Sequence, residues 1–140
     1  MLENIVETRT FLKKVLGEDG HYCVFAFRTR DDKRIQKFYL SVDDIAEVAD
    51  NFDKEGYDVY FSLATFKETG SLKVDNIKEL NSFFLDLDCG LSKDYRTQEE
   101  AILALKSFCD KFKLPRPTMI NSGRGVHVYW FLTEPVGIDN

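Results

Sequence analysis

The segment Phe83-Phe84-Leu85-Asp86-Leu87-Asp88-Cys89-Gly90 sets two carboxylates two residues apart at the end of an apolar run. On a strand, side chains alternate between faces, so Asp86 and Asp88 point to one side. Phe83, Leu85 and Leu87 point to the other, where a helix can bury them. Two like charges at a strand end repel each other and resist desolvation, which should raise at least one apparent pKa of the pair. A divalent cation bridging both carboxylates removes the conflict, and hard cations such as Mg²⁺ take oxygen ligands. The plainer alternative is that one aspartate caps the following turn and the other faces solvent.

A second segment, Ser122-Gly123-Arg124-Gly125-Val126-His127-Val128-Tyr129-Trp130, tips that balance. Two glycines bracket an arginine in a tight turn, where positive φ and close approach of a ligand to the backbone are allowed. The N–H groups of such a turn can form an anion nest. Ser122 can donate a hydroxyl hydrogen, and Arg124 can make a bidentate contact to phosphate. His127 shares a face with Tyr129, while Val126, Val128 and Trp130 take the opposite face. Taken singly, His127 reads as an ordinary strand histidine, the glycine turn as a common hairpin, and Tyr129, Trp130 and Phe131 as packing. Together with the aspartates they make a metal site beside a phosphate site.

The elements that must position these residues follow from periodicity and punctuation. Ile5, Val6, Leu12, Val15 and Leu16 mark an amphipathic helix over 2–16, stopped at Gly17. Residues 21–28 and 35–40 read as a hairpin around Arg30-Asp31-Asp32-Lys33. Ser41 opens a helix to about Asp53, ended by Gly56. Residues 57–66 read as one long strand, 67–78 as a loop with a helical turn, and 82–88 as the aspartate strand. Thr97 caps a helix whose apolar face is Ala101, Ile102, Leu105, Phe108, Cys109 and Phe112, and Leu114-Pro115-Arg116-Pro117 stops it. Strands follow at 118–121 and 126–132. The order α-ββ-α-ββ-α-ββ predicts an α+β fold, a mostly antiparallel sheet with helices on one side.

At 140 residues the chain fits a single domain, with 1–55 as its N-terminal portion and 56–136 carrying the two motifs. A net charge of −5 argues against coating duplex DNA by bulk positive charge, but leaves room for a local basic groove. Cys23, Cys89 and Cys109 lack zinc or disulfide spacing and fit reduced intracellular thiols. No apolar run reaches the roughly eighteen residues of a membrane span, and Glu3 and Glu7 stand where a signal peptide would be basic. A cytoplasmic protein with no membrane partner is expected.

Asp86-Leu87-Asp88 and Ser122 through His127 resemble motifs I and II of the archaeo-eukaryotic primase superfamily. The surroundings are similar too: Cys89-Gly90, the helix opening at Thr97, Pro115-Arg116-Pro117-Thr118 and His127-Val128-Tyr129-Trp130. The resemblance is closest to the bifunctional primase-polymerase domains of phage and plasmid replication proteins, and it covers about residues 80–136. It implies a nucleotidyltransferase with an RRM-like catalytic core and two divalent metals, Mg²⁺ or Mn²⁺. It implies that Asp86 and Asp88 hold the metals and that Ser122 and His127 contact the triphosphate of an incoming nucleotide, with Asp86, Asp88 and His127 as the catalytic set. Arg124 joins the nucleotide-binding set from its charge and position alone. The family's third acidic residue lies on a strand further downstream, and Asp139 is a poor candidate for it. A truncated or diverged copy is therefore expected, one that does not extend a primer by itself.

The implied activity is that of a DNA primase or polymerase in phage or plasmid replication. Its partners would be nucleoside triphosphates, a single-stranded DNA template, and a helicase domain or replicative helicase. The alternatives are a non-catalytic RRM-like module whose aromatics stack on single-stranded nucleic acid, and a metal-dependent nuclease or replication initiator. Initiators of that kind use paired histidines, and here His21 and His127 are far apart in sequence.

Overall fold

The computed structural model describes residues 2–138, with side chains from Glu7 onward; Ile5, Val6 and Asp139 therefore fall outside the described side chains. The chain is α+β. Helix α1 spans Leu2–Val15, strands β1 Tyr22–Arg28 and β2 Lys33–Tyr39, and helix α2 Val42–Lys54. Strands β3 Asp58–Phe61, β4 Ala64–Phe66 and β5 Ile77–Asp88 follow, then helix α3 Gln98–Phe112 and strands β6 Thr118–Asn121 and β7 Gly125–Gly137. The strands form two antiparallel sheets, ordered β2-β1-β3 and β4-β5-β7-β6.

The backbone clusters into two units: residues up to Asn81 with those from Thr133, and Ser82–Leu132. In the first, β1 and β2 pair in unbroken register from Tyr22↔Tyr39 to Arg28↔Lys33, around the turn that the polar run signalled. Ser41 caps α2 by accepting the Asp44 N–H at 3.0 Å, and Gly56, at φ +79°, lets the chain leave the helix. Leu12, Val15 and Leu16 of the first helical segment are buried, as are Val24, Ala26, Ile45 and Ala46.

Three strands, rather than two, separate α2 from α3. The 57–66 run breaks at Ser62-Leu63: β3 pairs with β1, whereas β4 pairs with β5. The break carries no Gly or Pro, so the propensity pattern holds no sign of it. Strand β5 begins at Ile77, five residues before the expected start. Its early part is polar (Lys78, Glu79, Asn81), which masks the strand in a hydropathy reading. Strand β7 likewise runs past Leu132, through Pro135, to Gly137.

The second unit holds both motifs. Leu105 and Cys109 of α3 pack on Val126 and Val128 of β7, with Leu87 and Trp130 against them. Burying an aliphatic side chain of this size contributes roughly 1.5–3 kcal/mol, so these contacts anchor α3 to the sheet. The Trp130 indole N–H donates to the Pro115 carbonyl at 2.9 Å, tying the extended proline segment back to β7. The expected burial of the whole odd-numbered face of β5 does not occur. Leu87 packs, but Phe83 is 56% and Leu85 38% exposed. On α3 only Ala101, Leu105 and Cys109 are buried, while Ile102, Phe108 and Phe112 stay exposed. One helix covers only part of the sheet face that the sequence makes apolar.

Candidate metal and nucleotide site

Asp86 and Asp88 lie in the last turn of the pleat of β5, which sits between β4 and β7 in its sheet. Alternation places both with Phe84 on the face opposite Leu87. Both aspartates are exposed. From β7, His127 presents its Nε2 to Asp86 Oδ1 at 3.8 Å, and its ring meets the edge of Phe84 at 5.3 Å between centroids. Phe84 also contacts the Tyr129 ring at 5.1 Å. The face opposite Val126, Val128 and Leu87 therefore gathers Phe84, Asp86, His127 and Tyr129. Tyr129 is buried there, and its phenol is pushed upward in pKa first by burial and then by the Asp86 charge.

The turn between β6 and β7 is built from its own polar groups. The Ser122 N–H donates to the Gly125 carbonyl, and Ser122 Oγ accepts the Gly125 N–H, both at 3.1 Å. Asn121 Oδ1 accepts the Gly123 N–H at 2.8 Å and a second hydrogen from Gln98 Nε2 at 2.9 Å. Gln98 Nε2 also reaches the Gly125 carbonyl at 3.0 Å, so the first turn of α3 braces the loop. Two N–H groups that an anion nest would need, those of Gly123 and Gly125, are thus already satisfied within the turn. What the turn offers a ligand is the Ser122 hydroxyl hydrogen and the exposed Arg124, which makes no ion pair among the described residues.

The two glycines have different tasks. Gly123 has φ +92°, in the region that side chains avoid, with open space around it. Gly125 is needed for room: a Cβ there would lie closer than 3.0 Å to the Leu87 carbonyl oxygen and 3.3 Å from Asp88 Cα. The glycine turn therefore abuts the backbone of the aspartate strand directly.

At Asp88 the shift runs downward rather than up. Lys93 Nζ donates to Asp88 Oδ2 at 2.8 Å. That hydrogen bond, and then the ammonium charge, hold Asp88 below the usual carboxylate range. A cation supplied by the chain itself relieves the repulsion. No cluster of three His, Cys, Asp or Glu side chains is arranged to hold a metal among the described residues. Two carboxylates nevertheless suit Mg²⁺ or Mn²⁺ of the kind that keeps few protein ligands and completes its shell with substrate phosphates. His21 bridges Phe66 in the first unit.

The similarity is distant and partial. A replication protein of Clostridium perfringens is 33% identical over 88 residues, a stretch covering 62% of this chain and 21% of that protein. The chain thus spans about a fifth of the length of that curated relative. No family model matches the chain, and no solved structure matches it. Among the described residues no helix is long and apolar enough to cross a membrane.

Lys93, Gln98, Asn121 and Phe84 are the site residues that sequence reasoning missed. Phe84 was open to deduction, since alternation puts it on the aspartate face. Asn121, just before Ser-Gly, is a common turn residue that accepts nearby N–H groups. Gln98 and Lys93 act through tertiary placement and carry no local signal.

Proposed function

We propose that this chain carries the motif I and II part of a primase-polymerase catalytic domain acting in plasmid or phage DNA replication. Replication itself is supported by the relative's name. Template-directed nucleotidyl transfer is supported above all by one juxtaposition: Asp86 with His127 at 3.8 Å, beside a glycine turn pressed against the Leu87–Asp88 backbone.

Asp86 and Asp88 would hold the divalent metals, Mg²⁺ or Mn²⁺. When bound, such ions neutralise the attacking and leaving oxygens of an in-line displacement. Ser122 donates its hydroxyl hydrogen to a phosphate oxygen, and Arg124 reaches the same triphosphate from the exposed side of the turn. His127, packed against the Phe84 ring, directs Nε2 toward the Asp86 carboxylate and can donate from it there or to a phosphate. The nucleoside triphosphate, single-stranded DNA template and helicase partners belong to this same reading.

The test is extension of a primed single-stranded template by the replication protein carrying this chain. Wild type should extend the primer in the presence of Mg²⁺ or Mn²⁺, and Asp86→Ala should not. Extension that survives Asp86→Ala sinks the reading.

One observation favours a second reading, an RRM-like module binding single-stranded nucleic acid without catalysis. Phe84 is 40% exposed on the sheet face that carries His127, where a base could stack. Under that reading Phe84→Ala abolishes oligonucleotide binding, whereas Asp86→Ala leaves it intact.

A further inference from the structure

Lys93 lies in the loop between β5 and α3, a loop folded back on itself. The Gly90 N–H donates to the Tyr95 carbonyl at 2.9 Å, the Lys93 N–H donates to the Gly90 carbonyl at 3.1 Å, and Cys89 and Tyr95 form an isolated bridge. These contacts fix the backbone from which Lys93 departs. Its ammonium ends on Asp88 Oδ2, yet its side chain remains 49% exposed and Asp88 63%. An ion pair this open is held weakly, because water and salt screen it. Lysine is also a compact charge on a flexible stem, with three donors that can be redirected.

Two charges compete for one place. The Lys93 ammonium occupies an oxygen that a divalent cation on the aspartate pair would use. The Ser122–Gly125 turn is pressed against the backbone of Leu87 and Asp88, so the turn that carries Ser122 and Arg124 and the strand end that carries the Lys93 partner are backbone neighbours. An ammonium displaced from Asp88 leaves a strand end whose backbone neighbour is that turn.

We infer that Lys93 is a two-position counter-ion of this site: it neutralises Asp88 when the site is empty and transfers to the phosphates of the incoming polyphosphate when a divalent cation takes its place. This inference rests on the nucleotidyl-transfer reading and adds to it a residue and an order of events. Lys93 opposes the bare cation and favours the cation-polyphosphate complex. A residue that merely stabilised the loop would shift both affinities in the same direction or neither.

Lys93→Met keeps the length of the stem and removes the charge. Mn²⁺ binding to the 140-residue chain is followed by the electron paramagnetic resonance of free Mn²⁺. Binding of inorganic tripolyphosphate in saturating Mg²⁺ is followed by calorimetry. Lys93→Met should bind Mn²⁺ alone more tightly, by about two- to fivefold, the scale of an exposed ion pair. It should bind tripolyphosphate about tenfold more weakly, the scale of a lost charged hydrogen bond. Lys93→Arg should restore much of the second effect. Lys106→Met removes the same charge from α3 and should move neither constant. Equal shifts in Lys106→Met and Lys93→Met would reduce the effect to net charge and overturn the inference. So would a Lys93→Met chain that binds both ligands as wild type does. The underlying reading fails separately: Mn²⁺ binding that persists unchanged in Asp86→Ala/Asp88→Ala shows that the metal is elsewhere, and the inference falls with it.

Discussion

Replacing Gly125 by alanine should separate the two motifs physically. A Cβ at this position meets backbone: it would lie closer than 3.0 Å to the Leu87 carbonyl oxygen, 3.2 Å from its carbon and 3.3 Å from Asp88 Cα. No rotamer change can relieve a clash with main chain. Either β7 moves away from β5 or β5 bends at its aspartate end, and both loosen the contacts that hold Val126 and Val128 against Leu105 and Cys109. Overpacking of this kind costs about 3 kcal/mol. Gly123→Ala is the matched control. Nothing lies within 4 Å of its new Cβ, so only the φ of +92° opposes it, a backbone cost of about 1 kcal/mol. For a chain of this size each 1 kcal/mol moves Tm by about 4 °C. Thermal unfolding followed by circular dichroism should therefore show a fall of about 12 °C for Gly125→Ala and about 4 °C for Gly123→Ala. A Gly125→Ala chain no less stable than Gly123→Ala would refute the close approach of the turn to the aspartate strand.

Mg²⁺ or Mn²⁺ at ten times its dissociation constant should stabilise the native state by about 1.4 kcal/mol, seen as a rise in Tm that Asp86→Ala/Asp88→Ala lacks; equal rises in both proteins would place the ion elsewhere. Because Lys93 lowers the Asp88 pKa in the folded state, the pair's contribution is present above the unfolded carboxylate value and is lost as pH falls through the folded one. Asp88→Asn should accordingly show a shallower loss of stability under acid than wild type, compared by urea midpoints from pH 5 down to pH 2. Thr97 Oγ1 accepts the Glu100 N–H at 3.2 Å, and Glu100 Oε2 accepts the Arg96 N–H at 2.8 Å, so Thr97→Ala should cost about 1 kcal/mol in urea unfolding. No change there would mean that the cap does not hold α3 in solution.

Much of the fold could be read from local chemistry, and the failures share a cause. The hairpin of β1 and β2, the Ser41 and Thr97 caps and the stop at Gly56 are all set by residues within a few positions of one another. The break at Ser62-Leu63 is set by which sheet each half joins, and the polar start of β5 by pairing with β4; neither is a local property. The same division runs through the site. Two-residue alternation was enough to place Asp86 with Asp88 and His127 with Tyr129. It could not say that His127 would come within 3.8 Å of Asp86, since that depends on β7 lying beside β5. The lowered Asp88 pKa, too, depends on the path of the chain. The repulsion of the two carboxylates was reasoned as if the strand end stood alone, but the loop after Gly90 returns Lys93 to Asp88.

The site divides into a fixed part and a movable part, and the division follows from how each is held. Asn121, Ser122, Gly123 and Gly125 are joined by short hydrogen bonds, Gln98 fastens them to α3, and Gly125 leaves no gap between the turn and the strand below it. His127 is set between the Phe84 ring and the Asp86 carboxylate. The positive groups are different. Arg124 is exposed at the tip of the turn, and Lys93 holds its carboxylate through an open ion pair that water can replace. For the proposed ligand, a pre-ordered turn spares the entropy of ordering its donors, while flexible cationic side chains can follow a polyphosphate. A surface evolved only for stability would have little use for that combination, because exposed ion pairs contribute so little to folding. That combination accords with the ligand proposed for the site, a divalent cation together with its polyphosphate.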